Sequence, residues 1–137
     1  MGCSEKKILA LPMKLEFLSN DSPDCPLVRI FEFTPPEIGL LSSLCQRLAS
    51  GELKAVSLNE LPDVEPVDDV QLSFQCADKD LGLLQPRKAA FELVLSVGGW
   101  RTVVDLMSPF DRPAWGYQWL WSQSGQPSLL LSPTGSW

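Results

Sequence analysis

Histidine is absent from the sequence, and this absence excludes more chemistry than any other feature of the composition. Without histidine the chain cannot form a Ser-His-Asp triad or a Cys-His pair, and it lacks the commonest general base and metal ligand. Cysteine is scarce as well, since Cys3, Cys25, Cys45 and Cys76 form no C-x-x-C pair that would indicate zinc. Two disulfides would fit the even count, but the wide spacing favours reduced thiols in a cytoplasmic protein. We therefore expect no metal and no cofactor.

Positive charge is also in short supply. The chain has 11 Lys and Arg against 17 Asp and Glu, which gives a net charge of −6. The basic residues are scattered, whereas binding to nucleic acid or to an anionic membrane requires them in clusters. No apolar run approaches the roughly 20 residues that span a bilayer. This charge balance predicts no nucleic-acid and no membrane partner, and it favours a basic protein partner.

The length of 137 residues, with 45% hydrophobic and 20% charged residues, is typical of one globular domain. We expect residues 1–12 to form a flexible leader and residues 13–137 to form a single α+β domain. Gly2 and Cys3 superficially suggest acylation, but Lys6 stands where myristoylation requires Ser or Thr. No lipid anchor is predicted.

The strongest secondary-structure signal predicts a helix at about residues 35–50. Thr34 and Glu37 have the spacing of a capping box, Pro35 suits the first helical position, and Gly51 suits the end. Apolar residues recur at helical spacing along one stripe that would face a core: Ile38, Leu41, Leu44, Cys45 and Leu48.

Alternating and branched segments predict strands along the rest of the chain. They lie at 13–18, 27–33, 55–58, 72–76, 117–121 and 129–132. Gly98-Gly99, between two alternating runs, predicts a tight hairpin that joins strands within residues 91–106. The expected fold is α+β, with an antiparallel or mixed sheet of roughly six to eight strands and the one main helix packed on one face.

A single helix cannot cover a sheet that would be about 25–30 Å wide, so part of the apolar face of the sheet should remain uncovered. A row of aromatic residues at alternate positions offers one candidate for that surface: Trp115, Tyr117, Trp119 and Trp121. On one strand these rings would share a face, either as core or as a surface for a protein partner or a sugar.

Carboxylates provide two further candidate sites. One is a solvated acidic loop without a base that could dock a basic partner: Glu60, Asp63, Glu65, Asp68 and Asp69. The other is Glu92 and Asp105, which the predicted hairpin places opposite one another, as an acid/base pair would require. Arg29, on a largely apolar strand, needs a carboxylate partner or must reach the edge of the sheet.

These features favour a small acidic interaction domain without catalysis, which binds another protein or forms a homodimer through the aromatic strand or the acidic loop. A small-molecule or carbohydrate binder using the Trp/Tyr row is the alternative, followed by a weak hydrolase based on Glu92 and Asp105. The sequence does not identify a partner.

Overall fold

A computed structural model describes residues 13–19, 26–111, 116–123 and 126–134. The fold is mixed α+β, with two sheets and two helices. The elements, in chain order, are β1 (Met13–Leu18), β2 (Leu27–Phe31), α1 (Pro35–Ala49), β3 (Ala55–Ser57), β4 (Val64–Pro66), β5 (Gln71–Cys76), β6 (Gly82–Arg87), β7 (Ala90–Leu95), α2 (Val97–Met107), β8 (Gln118–Trp121) and β9 (Ser128–Ser132). The predicted leader at residues 1–12 lies outside the described residues.

The strands form a five-stranded sheet in the order β4-β1-β2-β9-β8 and a four-stranded sheet in the order β3-β5-β7-β6. Both sheets are mixed: β1 pairs with β2 antiparallel, for example, whereas β2 and β9 are parallel, as are β5 and β7. The expectation of one sheet is therefore wrong, while the mixed α+β class is confirmed. The β2 strand is central, as its apolar residues on both sides predicted.

Helix α1 begins and ends as the sequence predicts. The Thr34 backbone N–H donates to Glu37 Oε1 at 2.8 Å, Pro35 opens the helix, and Gly51 follows it with a positive φ of 81°. The predicted apolar stripe is buried, apart from a half-buried Leu44. This agreement follows from local chemistry, because capping and periodicity act within one helix.

The predicted Gly98-Gly99 hairpin is wrong, because the two glycines lie in the first turn of α2. Ser96 caps this helix by accepting the Gly99 N–H at 3.2 Å, and Asp80 in turn accepts the Ser96 N–H at 2.7 Å. A Cβ at Gly99 would lie 2.6 Å from Asp80 Oδ1. This glycine is therefore needed for a close approach and not for a turn.

Helix α2 removes the predicted shortage of helical cover. It packs beside α1, and its Trp100 is fully buried against Phe74, with ring centroids 4.8 Å apart. The indole of Trp100 donates to the Gln75 carbonyl at 2.9 Å, which satisfies its N–H inside the core. Both helices and both sheets contribute to one cluster of buried side chains.

Candidate binding surface

The acidic segment, residues 59–69, contains the five predicted carboxylates, and all five are exposed. It is more structured than a loop, because β4 pairs parallel to β1 within it and Asp63 accepts the Met13 N–H at 3.0 Å. The three ion pairs within the described part of the chain leave all five carboxylates out: Lys14–Glu32, Arg29–Glu16 and Arg47–Glu52. The segment therefore presents uncompensated negative charge to solvent.

An apolar groove of about 320 Å³ lies between α1 and the acidic segment. Leu40 and Leu44 line it from the helix, and Leu61, Pro62 and Asp63 line it from the segment. Leu40 is 57% exposed, the largest exposed fraction among the large hydrophobic side chains of the described residues. An exposed leucine beside further apolar side chains is a common feature of protein-binding surfaces.

The basic residue that lines the apolar groove does not offset its negative rim. The Arg47 Nε donates to Glu52 Oε2 at 2.7 Å, so its charge is already matched locally. Asp63, on the opposite wall, has no such partner among the described residues. The groove therefore combines an apolar floor with net negative charge.

Sequence reasoning did not find this groove, because it treated α1 and the acidic segment separately. Leu40 is an apolar residue of α1 that lies outside the apolar stripe. This position was the only feature of the sequence that could have indicated an exposed leucine. Leu61 and Pro62 lie within an acidic stretch, where their contribution to an apolar surface depends on the packing of β4 against β1.

The aromatic row does not form one continuous platform within the described residues. Trp115 lies outside them, while Tyr117 and Trp119 contact each other edge to face, with centroids 6.2 Å apart. A bulge then interrupts β8, since Trp119 pairs with Leu130 and Trp121 pairs with Leu129. Tyr117 is 48% exposed, so the described part of the row offers a pair of rings.

Trp121 is held in the structure by Gln126, which acts as a clamp on the edge strand β6. The Trp121 indole N–H donates to Gln126 Oε1 at 2.8 Å, and the Leu83 N–H donates to the same oxygen at 3.2 Å. The Gln126 amide donates in turn to the Leu81 carbonyl at 3.1 Å. Because these bonds connect the β8–β9 connection to β6, Trp121 has a structural role.

Glu92 and Asp105 do not form the predicted cross-strand pair. Glu92 lies on β7 and lines a polar groove of about 320 Å³ over the four-stranded sheet. Asp105 is exposed on α2 and lines a different cavity, between α1 and α2, together with Arg101 and Gln46. Two carboxylates in separate cavities do not provide the acid and base of one hydrolytic site.

Arg29 has the carboxylate partner that its position required. It pairs with Glu16 on the adjacent strand, with its Nε 2.9 Å from Glu16 Oε1, and its guanidinium lies 3.9 Å from the centroid of the Phe31 ring. The side chains of Arg29 and Glu16 are 20% and 23% exposed, so they form a partly buried structural ion pair.

The cysteines that the structure describes are Cys45 and Cys76, and both are free. Burial raises the pKa of the Cys45 thiol to about 12, so this group stays protonated at neutral pH and is a poor nucleophile. No cluster of three or more metal-ligating side chains occurs within the described ranges. None of the helices in those ranges is long and apolar enough to cross a membrane.

A comparison with models of protein families, with curated proteins and with solved structures found no match to this chain.

Proposed function

We propose that this protein is a non-catalytic interaction domain that binds a basic, amphipathic segment of a partner protein. The partner places apolar side chains in the apolar groove and its basic side chains against the acidic segment. The observation that carries the proposal is the coincidence of an exposed Leu40 with the unpaired Asp63 across one groove.

The apolar contribution is centred on Leu40. Burial of a leucine side chain stabilises a complex by about 1.5–3 kcal/mol when it starts fully exposed. Because Leu40 is 57% exposed, its burial by a partner should contribute about 1–2 kcal/mol. A contribution of this size makes Leu40 the expected centre of the binding surface.

The electrostatic contribution favours a different protein over a second copy of this chain. A symmetric dimer through the apolar groove would bring two acidic segments together, in a chain whose net charge is already −6. Like charges across an interface cost affinity, whereas lysine or arginine on a partner would be attracted and steered toward the segment. A homodimer through this groove is thus disfavoured.

A helical peptide with a leucine stripe flanked by lysines tests the proposal directly. Titrated into the ¹⁵N-labelled protein, it should shift the amide signals of Leu40, Leu44, Leu61 and Asp63. A peptide of identical composition with a scrambled apolar stripe is the matched control, and it should bind much more weakly. Added salt should weaken the interaction, because the carboxylates are exposed.

The acidic rim has its own matched pair of variants. Asp63→Asn should weaken peptide binding, whereas Asp78→Asn removes the same charge from an exposed site outside the groove and should leave affinity nearly unchanged. Equal binding of the scrambled peptide, or an equal effect of the two variants, would reduce the interaction to general attraction between opposite charges and refute the proposed site.

A further inference from the structure

The two sheets contain the same arrangement of four strands. In the five-stranded sheet, β1, β2, β9 and β8 pair in the series antiparallel, parallel, antiparallel. In the four-stranded sheet, β6, β7, β5 and β3 pair in the same series. Along the chain, two strands precede each helix, and an antiparallel strand pair follows it. The topology therefore divides the chain into two ββαββ units, residues 13–76 (unit 1) and residues 82–132 (unit 2).

The pattern of buried side chains also repeats between the units. On the central strands, Leu27–Phe31 of β2 and Ala90–Val94 of β7 share the pattern buried, buried, half-buried, buried, buried. The N-cap residues of the two helices are Thr34 and Ser96, which are 62 positions apart. Three pairs of buried helical residues have the same spacing: Ile38 and Trp100, Leu41 and Val103, and Cys45 and Met107. The two units therefore bury the same faces.

The units exchange the strand pairs that follow their helices. The β9 strand of unit 2 lies beside β2 of unit 1, and β5 of unit 1 lies beside β7 of unit 2. The core is shared as well, since the ring of Phe74 in unit 1 contacts the ring of Trp100 in unit 2. Without unit 2, the four-stranded sheet would retain only β3 and β5, and a two-stranded sheet is marginal in water. Each unit therefore needs the other to complete its sheets and its core.

We infer that this chain pairs two copies of one ββαββ unit, and that each unit accepts the complementary unit of a second copy of this chain in the same way. Pairing between two chains would form the same strand pairs and core contacts, and only the connection between the units would differ. A short linker gives an effective concentration in the millimolar range, so at micromolar protein the units of one chain should pair with each other. The inference does not depend on the proposed function, because the residues that line the apolar groove all lie in unit 1.

The connection between the units, residues 77–81, is short for the gap that it crosses. Because β5 and β6 flank β7 and neighbouring strands lie about 4.8 Å apart, this gap is roughly 10 Å. The Ala77 N–H donates to the Leu95 carbonyl at 3.0 Å, and the Leu81 N–H donates to the Val94 carbonyl at 2.8 Å, so both ends are fixed on β7. Residues 77–81 span about 13–14 Å when extended. Without residues 78 and 79 the span falls to about 7 Å, which is less than the gap.

Deletion of residues 78 and 79 from the full chain tests the inference. Both residues are exposed, and the shortened connection should force the units of two chains to pair, as short hinge connections do in domain-swapped proteins. The deletion variant should elute as a dimer at micromolar concentration, with the far-UV circular dichroism of the wild type. The matched control is Asp78→Gly/Lys79→Gly, which removes the same side chains and keeps the length. Both this control and the wild type should elute as monomers.

An isotope-filtered NOE experiment distinguishes exchange of units from ordinary surface association. Chains labelled with ¹³C and unlabelled chains of the deletion variant are mixed in urea and refolded together. Because Phe74 and Trp100 belong to different units, an exchanged dimer should give an NOE between Phe74 of a labelled chain and Trp100 of an unlabelled chain. A dimer formed through an outer surface would give this NOE within single chains only.

A folded monomer of the deletion variant, or a dimer with the Phe74–Trp100 contact only within chains, would overturn the inference. If the deletion variant does not fold, the wild type decides. Labelled and unlabelled wild-type chains refolded together at about 1 mM should show the contact between chains, because the protein concentration then matches the effective concentration of the linked units. Absence of that contact would equally overturn the inference. None of these results alters the peptide test of the apolar groove, which reads residues within unit 1.

Discussion

The clamp formed by Gln126 makes Gly82 the most informative single position for stability. Gly82 has a φ of 92°, and a Cβ there would collide with Gln126 Oε1 and would lie 2.7 Å from Trp121 Cζ2. Gly82→Ala therefore imposes backbone strain of about 1 kcal/mol and also displaces the clamp. Displacement interrupts three hydrogen bonds that solvent can replace in part, at a cost of about 1–2 kcal/mol in all. We expect Gly82→Ala to lower the free energy of unfolding by about 2–3 kcal/mol.

Gly51→Ala measures the cost of backbone strain alone, because Gly51 has a similar φ of 81° and no heavy atom lies within 4 Å of the added Cβ. It should cost about 1 kcal/mol. Gln126→Ala removes only the clamp. The double variant Gly82→Ala/Gln126→Ala should lose less free energy of unfolding than the sum of the losses in its two single variants. Urea unfolding followed by tryptophan fluorescence measures all four. Equal costs for Gly82→Ala and Gly51→Ala would refute the clamp.

Two further predictions concern the helices. Gly99→Ala should destabilise the protein by about 2 kcal/mol in urea unfolding, because its Cβ would lie 2.6 Å from Asp80 Oδ1. The neighbouring Gly98 is the matched control, because the nearest atom to a Cβ there is 3.8 Å away. Gly98→Ala should be neutral or stabilising by up to about 1 kcal/mol. A larger loss of stability in Gly98→Ala than in Gly99→Ala would contradict the close approach of Asp80. The third prediction concerns the Cys45 thiol, whose pKa is about 12 in the folded protein and has its ordinary value of 9.0 in the unfolded chain. Between pH 9.0 and about pH 12 the thiol should ionise only in the unfolded chain. Its contribution to stability is therefore complete below pH 9.0 and is lost as the pH rises through that window. The wild type should therefore lose about 1.4 kcal/mol more per pH unit than Cys45→Ala, and parallel pH profiles of unfolding would be the contrary result.

Helix α1 could be predicted from the sequence because its signals are local. Its capping residues, its apolar stripe and the Gly51 that follows it all lie in one continuous stretch of the chain, residues 34–51. The alternating strands β1 and β5 were also predictable for this reason. The partner of Arg29 could be anticipated by type, although only the register of β1 against β2 identifies Glu16.

Helix α2 could not be predicted because the Gly-Gly signal fits two structures. Trp100, Val103 and Met107 have helical spacing and are buried, yet the same stretch also alternates well enough to be interpreted as a strand. The deciding contact comes from Asp80, which is distant in sequence and approaches closely only because Gly99 has no side chain. The mistaken hairpin also produced the false pairing of Glu92 with Asp105.

The binding surfaces were only partly predictable, because each groove is built from several elements. The sequence identified the acidic segment by its charge and lack of bases. It did not identify Leu40 as the apolar neighbour of that segment, since only the folded chain places Leu40 in one groove with residues 61–64. In the aromatic row, the bulge in β8 breaks the alternation on which the prediction of a continuous face depended.

The most direct test of the proposed interaction compares two leucine variants by isothermal titration with the leucine-striped basic peptide. Leu40 and Leu81 are 57% and 43% exposed, and the apolar groove includes Leu40 but not Leu81. Leu40→Ser should weaken peptide binding by roughly tenfold, the equivalent of about 1.4 kcal/mol, whereas Leu81→Ser should leave the affinity unchanged. Equal affinities for the two folded variants would contradict a binding surface centred on Leu40.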